Sequence, residues 1–145
     1  MMEAFVIAGL MLMSQLGPAQ QLQSERPDCS DRLSALVRTP FVLGYIFGSA
    51  AAAIDRIGID HNDPDATAVI VGVHRLVFPQ TSYEDCVRFS DQAVREPDFA
   101  LGMHAAGVDA DAFAFGKVPP VRLSRWLDAQ LNVEAPSEKT QDEGE

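Results

Sequence analysis

Prolines punctuate this chain at four places that suit the start of a helix: Thr39-Pro40, Asp63-Pro64, Glu96-Pro97 and Pro119-Pro120. The proline ring fixes φ near the helical value and removes the backbone N–H. That costs nothing in the first helical turn but breaks a helix interior or a central strand. Thr39 and Asp63 add side-chain oxygens able to cap the free N–H groups just inside a helix. Behind these starts run FVLGYIFGSAAAAIDRI, ATAVIVGVHRLVF, FALGMHAAG and VRLSRWLDAQL. Gly58 stops the first of these segments, since glycine tolerates the left-handed backbone that ends helices. Thr81 and Glu84 make a capping-box pattern ahead of DCVRFSDQAVRE. Asp28 to Ser30 opens a short helix with Leu33, Leu36 and Val37 at helical spacing, and a further helix is expected around residues 109–115. The run Val69 to Val73 would suit a strand in isolation, but the cap before it and its continuation to Phe78 predict a helix. The expected fold class is all-α, a compact bundle of five to six helices.

The centre of that bundle is expected over about residues 40–57. From Thr39 to Ile54 there are sixteen residues without a charge, bounded by Arg38 and Asp55. A membrane-spanning helix needs about 20 apolar residues, so the segment reads as a buried helix and no membrane span is predicted. Gly44, Gly48 and Ala52 lie four apart and form one smooth ridge, which lets a neighbouring helix approach closely.

Three regions follow. Residues 1–27 hold an apolar stretch, AFVIAGLMLM, and a linker, residues 28–132 form the helical domain, and residues 133–145 are an acidic tail expected to be disordered. The apolar stretch with Gly17-Pro18-Ala19 behind it has the pattern of a secretory signal, yet its first residues, Met-Met-Glu, lack the usual positive charge. Either a signal peptide over residues 1–19 or a packing helix fits, so the chain is cytoplasmic in one reading and periplasmic in the other. Cys29 and Cys86 fit both. In an exported protein they could pair and close a long loop, worth roughly 4 kcal/mol; in a reducing compartment they would be buried thiols.

The formal net charge is −10, from 21 acids against 11 bases. Nucleic acid and anionic lipid require a basic patch, and the densest basic spot is Arg122 and Arg125 beside Trp126. Neither partner is expected. The loop IDHNDPDA around His61 fails the calcium-loop pattern, because counting from Asp60 puts Pro64 at position five and Asp65 at the sixth, where glycine belongs. Helix capping accounts for its acids. Ser49 lies mid-helix and outside any nucleophile elbow, and phosphate-binding glycine motifs do not occur. Asp109 and Asp111, two apart, would point to different helix faces, so they read as a turn and a helix start, not an acid/base pair. His74 reads as a helix-end histidine favoured by the dipole, and His104 has no partner in sequence. A site built from His74, His104 or Cys86 would require two of them to converge in a pocket. No catalytic, cofactor-binding or metal-binding residue is assigned and no cofactor is expected. The aromatics read as core anchors, with Phe113, Phe115 and Trp126 the candidates for contact with a partner.

The segment FVLGYIFGSAAAAIDRIG resembles the first conserved helix of small secreted helical immunity proteins that neutralise cell-wall amidases in bacterial competition. The likeness lies in Gly44, Tyr45, Ile46 and Gly48, after a cysteine. It covers residues 41–58 only, the later cysteines of that group have no counterpart here, and it implies no residue roles. The leading expectation is a small acidic, non-enzymatic protein–protein interaction module, such as an adaptor, inhibitor or structural component, with a homodimer as a further option. The alternatives are an exported immunity-type inhibitor of a bacterial enzyme, and a small enzyme or ligand-binding helical bundle using His74, His104 or Cys86.

Overall fold

The computed structural model describes the backbone of residues 2–25, 35–79, 82–116 and 118–134, with the side chains of all of these except 18–25, 90, 114–116 and 131–134. The described residues form six helices: α1 (Met2–Glu25), α2 (Pro40–Ile57), α3 (Pro64–Val77), α4 (Tyr83–Ala93), α5 (Pro97–Gly116) and α6 (Arg122–Glu134). No strand occurs among them, and Val69 to Val73 is helical. The fold is all-α with α2 at its centre.

Pro40, Pro64 and Pro97 each stand first in their helix. The caps differ in detail from the sequence reading. Asp63 accepts from the Asp65 N–H at 2.9 Å, a side-chain cap. Thr39 is extended in front of α2, but its hydroxyl donates to the Leu36 carbonyl at 2.7 Å and makes no cap. At α4 the capping hydroxyl is that of Ser82, which accepts from the Asp85 N–H at 3.2 Å; Thr81 lies outside the described residues. Pro119 and Pro120 precede α6 by a residue, because Val121 is still non-helical and the helix opens at Arg122. Gly58, at φ 87°, ends α2: its N–H and that of Ile59 return to the Asp55 and Ile54 carbonyls.

Helix α2 packs on α1, α3, α4 and, most extensively, α5. Close approach is possible because glycines face each other across the α2–α5 seam. A Cβ on Gly44 would sit 2.1 Å from the Phe99 carbonyl oxygen, one on Gly48 2.9 Å from Met103 Cα, and one on Gly102 2.0 Å from the Phe41 carbonyl oxygen. Helix α2 is long and apolar enough to cross a membrane by length and composition, and nine of its residues are buried inside the bundle. From α1, Ala4, Ala8, Met11, Leu12 and Leu16 enter the same core. Helix α6 closes the bundle against α1 and α5 through Leu123 and Leu127.

One expectation is revised. The separate helix around residues 109–115 does not exist, because α5 runs unbroken from Pro97 through Gly107 to Gly116. Glycine in a helix interior costs about 1 kcal/mol relative to alanine, and burial of Ala105, Ala106, Asp109 and Ala110 on one face of the same turns offsets it. Asp109 therefore begins no helix. The short helix expected from Asp28, together with Cys29 and the tail from residue 135 onward, lies outside the described residues.

Candidate functional site

The most elaborate side-chain arrangement is a buried polar network across four helices. Tyr45, on α2, donates its hydroxyl to Asp109 Oδ2 on α5 at 2.7 Å and accepts from Gln15 Nε2 on α1 at 2.8 Å. The Gln15 amide also donates to the Met11 carbonyl at 2.8 Å. Its Oε1 accepts from the Ser124 N–H at 2.9 Å, and Asp109 Oδ2 accepts from the Arg122 N–H at 3.0 Å. Arg122 and Ser124 are the first and third residues of α6, so their N–H groups have no partner within the helix. Side chains from α5 and α1 supply the missing acceptors. Arg122 also closes over Asp109 with an Nη1–Oδ1 ion pair of 2.8 Å. Burial foremost, then the hydrogen bond to Asp109, hold the Tyr45 hydroxyl protonated well above the ordinary tyrosine range, while Gln15 and Arg122 pull the other way.

Asp109 and Asp111 share a helix but not a role. They do face opposite ways, with Asp109 buried and Asp111 exposed. Asp109, however, is a core acceptor and not part of a turn. Local spacing does not single out Gln15 or Asp109 as functional residues. The available signal was a polar residue recurring on an apolar face: Gln15 among Met11, Leu12 and Leu16, and Asp109 among Ala105, Ala106 and Ala110.

A second cluster joins α3 to α4. His74 Nδ1 and Cys86 Sγ lie 3.4 Å apart, both side chains buried. The His74 ring tilts against Phe78 at 4.8 Å between centroids, and its Nε2 is buried without a hydrogen-bond partner. His74 stands in the last turn of α3, as the sequence reading has it, but burial lowers its pKa and keeps the ring neutral, so it gains little from the helix dipole there. Burial likewise pushes the Cys86 thiol up, with Arg75 pulling it down and Asp85 raising it. Both residues line a recess of about 130 Å³ walled by Phe47, Ile70, Val71 and Val87. Two of the three side chains singled out in the sequence thus converge. His104 does not join them: it is exposed, in an open depression with Asp55, Arg56 and Asp111. Among the described residues no group of three or more His, Cys, Asp or Glu side chains is placed to hold a metal, and His61 pairs with Asp55 at the surface.

Of the three proposed contact residues, Trp126 stacks on Phe41, with centroids 4.8 Å apart and planes 11° from parallel, and Phe113 packs partly buried against the core. The Phe115 side chain lies outside the described residues. A different surface is more apolar. Met2, Val6, Leu10 and Met13 on the outer face of α1 are 69%, 47%, 55% and 37% exposed. Beside them Met2, Phe5, Ala68, Val69 and Gly72 line an apolar recess of about 240 Å³ between α1 and α3. No family model, curated protein or solved structure matches the chain, so the likeness of residues 41–58 to amidase immunity proteins rests on those residues alone.

Proposed function

We propose that the chain is a non-enzymatic binding domain that docks an amphipathic helix of another protein along the outer face of α1. The observation that carries this reading is the exposed stripe of Met2, Val6, Leu10 and Met13. At 1.5 Å rise per residue the stripe runs about 16 Å, or three helical turns, which matches the apolar anchors of one partner helix. The recess lined by Met2, Phe5, Ala68, Val69 and Gly72 offers a socket for one of those anchors. A net charge of −10 favours a partner with basic flanks and opposes face-to-face association of two copies. The covered, neutral state of His74 and Cys86 supports binding over nucleophilic catalysis, because reactive thiols sit where the thiolate is favoured and reachable.

Burial of Ala4, Ala8, Met11, Leu12 and Leu16 supports an N-terminus retained in the folded protein and a cytoplasmic location. Cleavage after Ala19 would remove those residues together with Gln15. N-terminal sequencing of the protein from its native host tests this: a start at Met1 or Met2 supports it, and a start at Gln20 overturns it in favour of the exported inhibitor. The docking face is tested by placing a photo-crosslinking side chain at Leu10 and, separately, at exposed Glu84. Adducts from Leu10 alone, mapping to an apolar-faced helix of another protein, are expected. They should vanish in a V6D variant that keeps the wild-type melting temperature. Adducts only between copies of the chain, or equal yields from both positions, would overturn the reading.

A further inference from the structure

Helix α4 is lightly seated. Among its described side chains only Cys86 and Ala93 are buried, Asp85 and Phe89 are half-buried, and Tyr83 and Val87 are 52% and 40% exposed. It packs chiefly on α2 and α3, and far less extensively than α5 does on α2. Unfilled space flanks it. Phe89, Gln92 and Ala93 border a recess of about 330 Å³ shared with Leu43 and Phe78, while Cys86, Val87 and Asp91 border the recess of about 130 Å³ shared with Phe47 and Ile70. An element with so few buried contacts opens locally at less cost than the core does.

Its polar tie to α3 is Cys86 Sγ on His74 Nδ1, and this tie suits a neutral ring only. A second proton makes both ring nitrogens donors. Nδ1 would then face a sulfur, a weak acceptor, and Nε2, buried with no partner among the described residues, would hold an N–H without an acceptor. Nearby charges do not relieve it. Arg75 follows His74 on α3, and Arg38 lies over the Phe78 ring that packs on His74; both are cations. On α4, Asp85 pairs with Arg88, and Asp91 stands exposed at the rim of the smaller recess. Helix α2 carries no charge up to Ile54. A buried imidazolium is costly without partners, and hydration is the remedy within reach. We propose that α4 is an acid-released latch: a proton on His74 unseats it from α2 and α3 while the remaining helices stay packed, uncovering Phe47, Ile70, Phe78 and the Cys86 thiol. The latch is separate from the outer face of α1 and does not depend on docking there.

Opening returns His74 to its ordinary value of 6.5 from the lower value that burial gives it. The closed form is therefore favoured above pH 6.5 and loses ground below it, and between pH 7.5 and 5.5 the open population rises by up to about tenfold. Amide hydrogen exchange of the full-length ¹⁵N-labelled chain at both pH values reads each helix, with protection factors removing the pH dependence of exchange itself. Amides from Cys86 to Ala93 should be less protected than those of Tyr45 and Ala106 at both pH values, with little response to low urea. Their protection should fall several-fold, by at most about tenfold, on acidification. His74→Phe should abolish that fall, and His74→Gln, which cannot take the proton either, should do the same if the phenylalanine variant does not fold. Three results would each overturn the proposal: α4 protection equal at the two pH values, α4 amides as protected as those of Tyr45 and Ala106, or an acid response that survives removal of His74. The first two are read on the wild-type chain alone.

Discussion

Replacing Asp109 by leucine tests how far four helices depend on one carboxylate. The substitution keeps an apolar side chain of similar reach on the buried face of α5 and removes the acceptor of three hydrogen bonds. The Tyr45 hydroxyl is fully buried, and its loss of an acceptor leaves an orphan donor worth about 1–3 kcal/mol. The Arg122 N–H, at the partly buried start of α6, adds about 1 kcal/mol more. The Arg122 side chain is 46% exposed and can turn to water, so its ion pair adds less than about 1 kcal/mol. The expected total is about 4 kcal/mol, or roughly 10 °C of melting temperature in a domain of this size. Tyr45→Phe should cost only about 1 kcal/mol, because Asp109 keeps Arg122 and Gln15 keeps the Met11 carbonyl. The sharper measurement is the double-mutant cycle. With Asp109 gone, the tyrosine hydroxyl is a liability, and Tyr45→Phe in the Asp109→Leu background should be neutral or stabilising. Urea unfolding followed by circular dichroism and by the single tryptophan, Trp126 on α6, reads all four proteins. An Asp109→Leu cost under about 1 kcal/mol, or an equal cost of Tyr45→Phe in both backgrounds, would refute the reasoning.

The glycine seam predicts opposite outcomes for one chemical change. Gly44→Ala or Gly102→Ala drives a methyl into backbone of the facing helix and should destabilise by more than about 3 kcal/mol, whereas Gly107→Ala, with nothing within 4 Å of its Cβ, should stabilise by up to about 1 kcal/mol; thermal melts of the three variants decide. His74 predicts a pH dependence. Its pKa in the folded chain lies below the ordinary 6.5, so below that pH the unfolded chain binds a proton the folded chain refuses, and stability falls as pH drops towards the folded value. The contribution lost by pH 5.5 is at most about 1.4 kcal/mol, and His74→Phe should remove that part of the slope in melts from pH 7.5 to 5.5. Tyr45 predicts that, in an alkaline titration followed at 295 nm, its hydroxyl stays protonated well above the ordinary tyrosine range and ionises only on unfolding.

What was legible in this sequence was local. Proline at the first helical position, Asp63 capping its own helix and Gly58 in left-handed backbone are decided by a few neighbouring residues, and the helices start and stop accordingly. The misreadings arose where a distant partner decides. Gly107 looks like a stop, yet α5 continues because its next turns have a buried face to fill. Asp109 beside Asp111 reads as a turn and a helix start, yet its partner Tyr45 stands 64 residues away, and Gln15 meets Ser124 across 109 residues. No spacing rule reaches across such intervals. The His74–Cys86 pair is an intermediate case. Twelve residues and one interhelical turn separate the two, so their meeting was an option the sequence held open and only the packing of α4 on α3 decides.

The two faces of α1 explain why an exposed apolar stripe on a terminal helix can serve as a docking platform. A helix held only by apolar side chains can slide or rotate at little cost, and a stripe on such a helix would present no fixed pattern of anchors. Here Gln15 makes hydrogen bonds to α2 and α6 at once, and each has a direction as well as a distance. Rotating α1 by one residue, about 100°, would break both and bury Leu10 in place of Met11 or Met13 in place of Leu12, according to its sense. The inner face therefore fixes which residues the outer face displays, the condition under which a contact surface retains both affinity and specificity. It follows that Gln15→Leu, a change confined to the core, should weaken partner binding at Leu10 in the crosslinking assay even where the melting temperature falls only slightly. Unchanged crosslinking in that variant would place the register of α1 under apolar packing alone.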